Sequence, residues 1–158
     1  MRNFKLSSIK PSPTIPNWLV VLFLVLSGAG FLDASYLTTK HYLGTPINCS
    51  LLNGCDAVTT SAYSMVSGLP VALLGAFYYF TIFIFVMLYV DTGAVNLFFV
   101  AVLITPLGFL ASLWFMYVQI FVIHALCLYC LLSALISTLL FGFGIFVLTL
   151  KGRLHITS

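Results

Sequence analysis

Between His41 and Leu150 the chain carries only two formally charged residues, Asp56 and Asp91. A water-soluble domain has about a quarter of its residues charged, because charge coats its surface. Over the 158 residues here 6% are charged and 62% are hydrophobic. That excludes an ordinary soluble domain and a disordered chain. Six Lys and Arg are also too few for a nucleic-acid binder, which must neutralise many phosphates. What remains is an integral membrane protein with little mass outside the bilayer. The connections are too short to fold separately, so one compact domain is expected.

Four apolar stretches stand out, at about residues 18–39, 70–90, 94–118 and 126–150. A helix needs ~20 apolar residues to cross ~30 Å of hydrocarbon. The alternation of a membrane β-strand is missing, and in lipid a helix satisfies its own backbone. The expected fold is an all-α membrane protein, a four-transmembrane-helix bundle. Asp91-Thr92-Gly93 reads as a tight turn between spans two and three. Residues 119–125 read as the break between spans three and four. Residues 43–68 form the one long connection and are rich in Gly, Asn, Ser and Thr. Pro106 should kink span three. Gly28, Gly30, Gly142 and Gly144 are expected at close helix contacts.

Five of the six positive residues lie at the ends: Arg2, Lys5 and Lys10 before the first span, Lys151 and Arg153 after the last. The positive-inside rule then places both termini in the cytoplasm and the 43–68 connection on the exoplasmic side. This divides the chain into a cytoplasmic arm (1–16), a membrane domain (17–150) and a cytoplasmic tail (151–158). The first apolar stretch is too long for a signal core and no small-residue cleavage site precedes Asp33, so it reads as a retained span.

The four cysteines carry the chemistry. Cys49 and Cys55 lie in the long connection; Cys127 and Cys130 form Cys-Leu-Tyr-Cys at the start of span four. An orientation argued only from Lys and Arg puts all four on one side, where disulfides persist. Cysteines at i and i+3 share a helix face. The positive end of the helix dipole raises the thiolate fraction of the first, and a thiolate is what attacks a disulfide. Asn53-Gly54 favours a turn between Cys49 and Cys55. Three readings compete: two structural disulfides, a four-thiolate zinc site, and a thiol–disulfide relay. The relay is favoured, because four spans need no stapling and half the zinc ligands would begin a membrane helix. With no Rossmann glycines, CxxCH, P-loop or HExxH present, its natural electron acceptor is a quinone dissolved in the bilayer.

Supporting residues have two readings each. Asp33 is either a functional intramembrane acid or an interfacial partner of a loop amide or Lys40. Asp56 is expected to cap a short helix over residues 57–65. Ser61 either bonds within that helix or orients the nearby cysteines. His124 is either a proton relay near Cys127 or an interfacial anchor. The run Phe77, Tyr78, Tyr79, Phe80 wraps around span two, so no more than two of its rings can face a bound quinone at once.

The chain resembles the vitamin K epoxide reductase family, in particular its bacterial members. The resemblance rests on Asp33-Ala34-Ser35-Tyr36-Leu37, Cys49-Ser50, Asn53-Gly54-Cys55-Asp56-Ala57-Val58, Ser61, Gly68-Leu69-Pro70, Leu74-Gly75 and Cys127-Leu128-Tyr129-Cys130 with Ser133. It implies a four-helix bundle around a quinone of the ubiquinone or menaquinone type, with no metal. Cys127 and Cys130 would be the active-site pair, with Cys130 next to the quinone, and Cys49 and Cys55 the shuttle pair. An exoplasmic thioredoxin-like dithiol protein would deliver electrons to Cys49, and Cys55 would pass them on through a mixed disulfide with Cys127. The implied result is disulfide formation in secreted proteins at a plasma (inner) membrane. Nothing in the sequence suggests more than a monomer.

Many bacterial relatives carry a fused thioredoxin-like domain after the bundle; here a separate partner is expected. Vertebrate members contact the quinone with an Asn on span two and a Tyr on span four; the matching positions here are Val71 and Ala134, which cannot donate a hydrogen bond through their side chains. The disulfide generators that place CxxC in the first exoplasmic loop have the reverse cysteine order. The alternative from another class is a non-enzymatic four-span protein with two inert disulfides.

Overall fold

Each long apolar stretch folds as one helix, because inside hydrocarbon every peptide group must find its partner within its own segment. The computed structural model describes residues 15–44, 55–66 and 68–156. Most of the N-terminal arm, and Cys49 with its half of the long connection, lie outside the described residues. Helix α1 spans Asn17–Leu43, the five-residue α2 Cys55–Thr59, α3 Val71–Thr92, α4 Val95–Tyr117 and α5 Leu128–Ile156. Four of them are long and apolar enough to cross a membrane, so the protein is a multi-pass membrane protein. Helices α1 and α3, α3 and α4, α4 and α5, and finally α1 and α5 pack against one another, closing a four-helix bundle.

The bundle interior holds Leu19, Phe23, Ile82, Val86, Phe98, Val102 and Leu140, all buried. The Phe23 and Phe98 rings lie 5.1 Å apart. Leu32, Leu103 and Leu110 are equally apolar and face outward. That is the pattern of helices solvated by lipid. Buried hydroxyls return to their own backbone, as when Ser27 donates to the Phe23 carbonyl at 2.6 Å.

Close approach is set by particular glycines. A Cβ on Gly30 would meet the Tyr79 ring at 2.6 Å, and one on Gly144 would meet Thr105 Oγ1 at 3.0 Å. Gly28 has only ordinary room-filling contact with Phe83, and Gly142 meets nothing within 4 Å, so two of the four expected contacts are absent. Gly108, which faces the Tyr78 ring, is a close contact that spacing did not reveal. Pro106 lies inside α4 and withholds the amide hydrogen that would bond the Val102 carbonyl. The Thr105 hydroxyl fills that role, donating to the same carbonyl at 2.7 Å.

The turn after α3 is as short as expected: Gly93, at φ 70°, closes the helix with its N–H on the Tyr89 carbonyl at 2.8 Å. The break between spans three and four is shorter than the sequence indicated. Residues Val118–Ile123 continue α4 as a π-helix, which leaves only residues 124–127 without helix. The long connection also differs from expectation. The helix begins at Cys55 rather than after Asp56, so Asp56 is inside its first turn and does not precede it. It ends at Thr59, and a separate 3-10 turn covers Ala62–Ser64. A two-stranded hairpin then pairs β1 (Met65–Val66) with β2 (Leu69–Pro70), Met65 opposite Pro70. Gly68 turns it at φ 82°, a backbone region open to glycine.

Candidate active site

At the end of the bundle beneath α2, Cys55, Cys127, Leu37 and Val58 form a second buried cluster, with Cys130, Tyr129 and Ile123 packed against it. Three of the four cysteines are therefore together. Cys55 is 1% exposed and Cys127 0%. Cys55 is disulfide-bonded, whereas Cys127 and Cys130 are free thiols.

Cys127 is the last residue before α5, whose first amide hydrogens have no partner within the helix. The Cys130 thiol and the backbone N–H groups of Cys130 and Tyr129 donate to its sulfur. Led by the Cys130 thiol, these bonds outweigh burial and hold the Cys127 thiol down from 9.0 to about 7. Its own N–H donates to Gln119 Oε1 at 3.0 Å. Gln119 is buried and belongs to the π-helix. Its carbonyl accepts the N–H groups of His124 and of Ala125, the latter at 3.2 Å. One residue thus receives three of the four backbone N–H groups of the break. Sequence reasoning treated Gln119 only as the start of a break; a lone amide inside an apolar stretch was the signal that pointed to it.

Cys130 faces the other way. It stands in the wall of a cavity of about 360 Å³ between the four long helices, roofed by Val58, Thr59, Ser61, Tyr63 and Val66 of the connection. Cys55 and Cys127 are not in that wall. The walls are largely apolar, and the volume lies within the ~300–1,000 Å³ of small-molecule sites. Tyr79 crosses the bundle to bond Ser133 of α5, its hydroxyl donating to the Ser133 carbonyl at 2.8 Å with the Ser133 hydroxyl at 2.9 Å. Tyr78 donates to the Thr105 carbonyl at 3.4 Å. Asp33 is in the wall, 8% exposed, and its Oδ2 is buried with no hydrogen-bond partner among the described residues.

The remaining expected site residues divide. Val71, Ala134, Tyr78 and Ser61 line the cavity. Ser61 donates to the Val58 carbonyl at 2.7 Å, a bond within the short connection. Phe77 does not reach the cavity: it is 62% exposed and, with Phe80, borders a separate shallow groove between α1 and α3. Tyr78 and Tyr79 are the two ring residues of that run in the wall, because 100° per residue turns the others outward. Asp33 is not paired with Lys40, whose Nζ lies over the Tyr36 ring at 5.9 Å. His124 is exposed and outside the wall; its backbone is in the left-handed region at φ 54°. Among the described residues no three His, Cys or Asp groups converge as metal ligands.

A comparison with protein-family models matches residues 21–145 to the Vitamin K epoxide reductase family. A comparison with curated proteins finds no match.

Proposed function

The chain belongs to the vitamin K epoxide reductase family, and on that premise we propose that it oxidises a thioredoxin-like dithiol partner and passes the electrons to a membrane quinone. As the family indicates, it is a membrane thiol–disulfide oxidoreductase. The finer reading is carried by one observation: Cys55 shares a buried cluster with Cys127 and Cys130, and of these three only Cys130 stands in the cavity wall.

That placement supports the following order of transfer. The partner's thiolate attacks the Cys49–Cys55 disulfide at Cys49, and Cys55 leaves as thiolate. Cys55 attacks the Cys127–Cys130 disulfide at Cys127, and Cys130 leaves. The partner's second thiolate releases Cys49, and Cys49 in turn resolves the Cys55–Cys127 bond. The pair of free thiols left at Cys127 and Cys130 is the electron donor. Closing their disulfide again releases two electrons and two protons, the equivalents that convert quinone to quinol. The apolar walls and the volume suit a quinone ring, and the Asp33 carboxyl, whose Oδ2 has no partner among the described residues, and the Tyr79 hydroxyl are polar groups of that wall. We place the cysteines on the exoplasmic side of the plasma membrane and both termini in the cytoplasm, on the charge asymmetry of Arg2, Lys5, Lys10, Lys151 and Arg153.

The test is quinone reduction by the purified protein, with a reduced thioredoxin-like protein as donor. Loss of quinone absorbance with wild type but not with Cys130→Ala is the expected result. No loss with ubiquinone or menaquinone analogues, across several dithiol donors, would return the protein to the non-enzymatic reading.

A further inference from the structure

The proposed chemistry moves two protons as well as two electrons, and few buried groups in the cavity wall can carry one; His41 and Tyr63 also line it, but both are partly open to solvent, and His41 stands about two turns beyond Asp33 on α1. Tyr79 already donates to Ser133, and Tyr78 to Thr105. Ser112 and Ser137 are bonded to each other at 2.6 Å. Ser61 donates to the Val58 carbonyl. Val71 and Ala134 offer no polar side chain. Asp33 stands apart. It is more than nine-tenths buried, it is in the same wall as Cys130, and its Oδ2 has no partner among the described residues. It also lies close enough to Tyr79, Cys127 and Cys130 to act on each electrostatically. A carboxylate away from water and without a counter-ion is costly. Lys40, the nearest cation in sequence, is engaged over the Tyr36 ring.

We propose that Asp33 is the proton donor to the quinone. This rests on the function proposed above and adds a residue to it. As the Cys127–Cys130 bond forms, the two cysteines lose two electrons and two protons, all of which pass to the quinone. One proton goes by way of Asp33: its carboxyl gives a proton to a quinone oxygen, and the carboxylate left behind takes up a proton shed by the cysteine pair. Asp33 ends as it began, and the pair ends as the disulfide.

The chain has only three acidic side chains, Asp33, Asp56 and Asp91, which makes the test direct. The full-length protein, isotope-labelled at aspartate, is followed by infrared difference spectroscopy as its reduced thiols meet a quinone. Single-turnover quinone reduction, quinone affinity and the rate of thiol exchange with the donor are measured beside it, in wild type and Asp33→Asn. The expected result is a carboxylic carbonyl band in the wild type that responds to quinone and is absent from Asp33→Asn. Quinone reduction should fall about 100-fold or more in that variant, the scale of general acid catalysis, with affinity within about three-fold of wild type and thiol exchange changed far less than quinone reduction. If Asp33→Asn reduces quinone at the wild-type rate, the proposal is overturned while the parent reading stands. Should the variant not fold, the labelled wild type decides: an aspartate band indifferent to quinone overturns the proposal. A wild type that reduces no quinone ends both readings together.

Discussion

The side-chain oxygen of Gln119 accepts the backbone N–H of Cys127 at 3.0 Å, joining a π-turn to the residue that begins the Cys-Leu-Tyr-Cys helix. Both groups are buried, so the bond has no water to replace it. Such an inserted turn re-aims a side chain that a regular α-helix would point elsewhere.

Gln119→Leu should leave the Cys127 N–H unsatisfied, at a cost of about 1–3 kcal/mol. Thermal unfolding in detergent reads the stability and quinone reduction reads the positioning of Cys127. Gln119→Glu keeps an acceptor and should recover most of both. Equal losses in the two variants would mean that the hydrogen bond is not what matters.

The Cys127 thiol, held down to about 7 chiefly by the Cys130 thiol, should ionise near neutral pH in the reduced protein. Its thiolate absorbance should rise as pH rises through that value and vanish below it. Cys130→Ala removes the first of the stabilising donors, so the midpoint should move up toward 9.0, the ordinary value. An unmoved midpoint would assign the effect to the helix terminus alone.

If Cys55 hands electrons to Cys127, Cys130→Ala should trap a Cys55–Cys127 bond, because no thiol remains to resolve it from that side. Non-reducing peptide mapping detects it. Cys127→Ala should yield no such species, and absence of the bond in Cys130→Ala would reverse or break the proposed order.

Gly30→Ala should disturb the site from a distance. Its methyl would meet the Tyr79 ring at 2.6 Å, which pushes the ring off Ser133 and costs about 1–3 kcal/mol. Gly142→Ala, with nothing within 4 Å, should change stability by no more than about 1 kcal/mol, and in the favourable direction. Thermal unfolding of the two variants side by side checks the contrast.

His124→Gly should keep quinone turnover, because what this position supplies is a left-handed backbone at φ 54°. His124→Ile should lose about 1–2 kcal/mol, the penalty for a side chain in that region. A His124→Gly protein that folds but fails to turn over would instead restore the imidazole to the chemistry.

The readable part of this protein was the part governed by hydration. Four apolar stretches, with so few charges between His41 and Leu150, leave helices as the only segments that satisfy a backbone in lipid. The spacing of Cys127 and Cys130, and the family-like order of residues around Cys55, pointed to the site before its geometry was known. Periodicity could say that no more than two of the four rings at 77–80 would face inward, but not which. That depended on how α3 settles against α1 and α5, where Gly30 admits Tyr79 and Ser133 receives it.

Tertiary structure alone decided the rest, because each remaining feature is a contact between segments with no local signature. Residues 119–125 read as a break, yet residues 118–123 form a π-turn whose Gln119 amide reaches Cys127. Asp33 read equally as an interfacial partner of Lys40, yet the two groups diverge and the carboxyl is buried in the cavity wall. A chain's hydropathy dictates which segments leave water. Which polar group among them is left without a partner is settled only when the helices close.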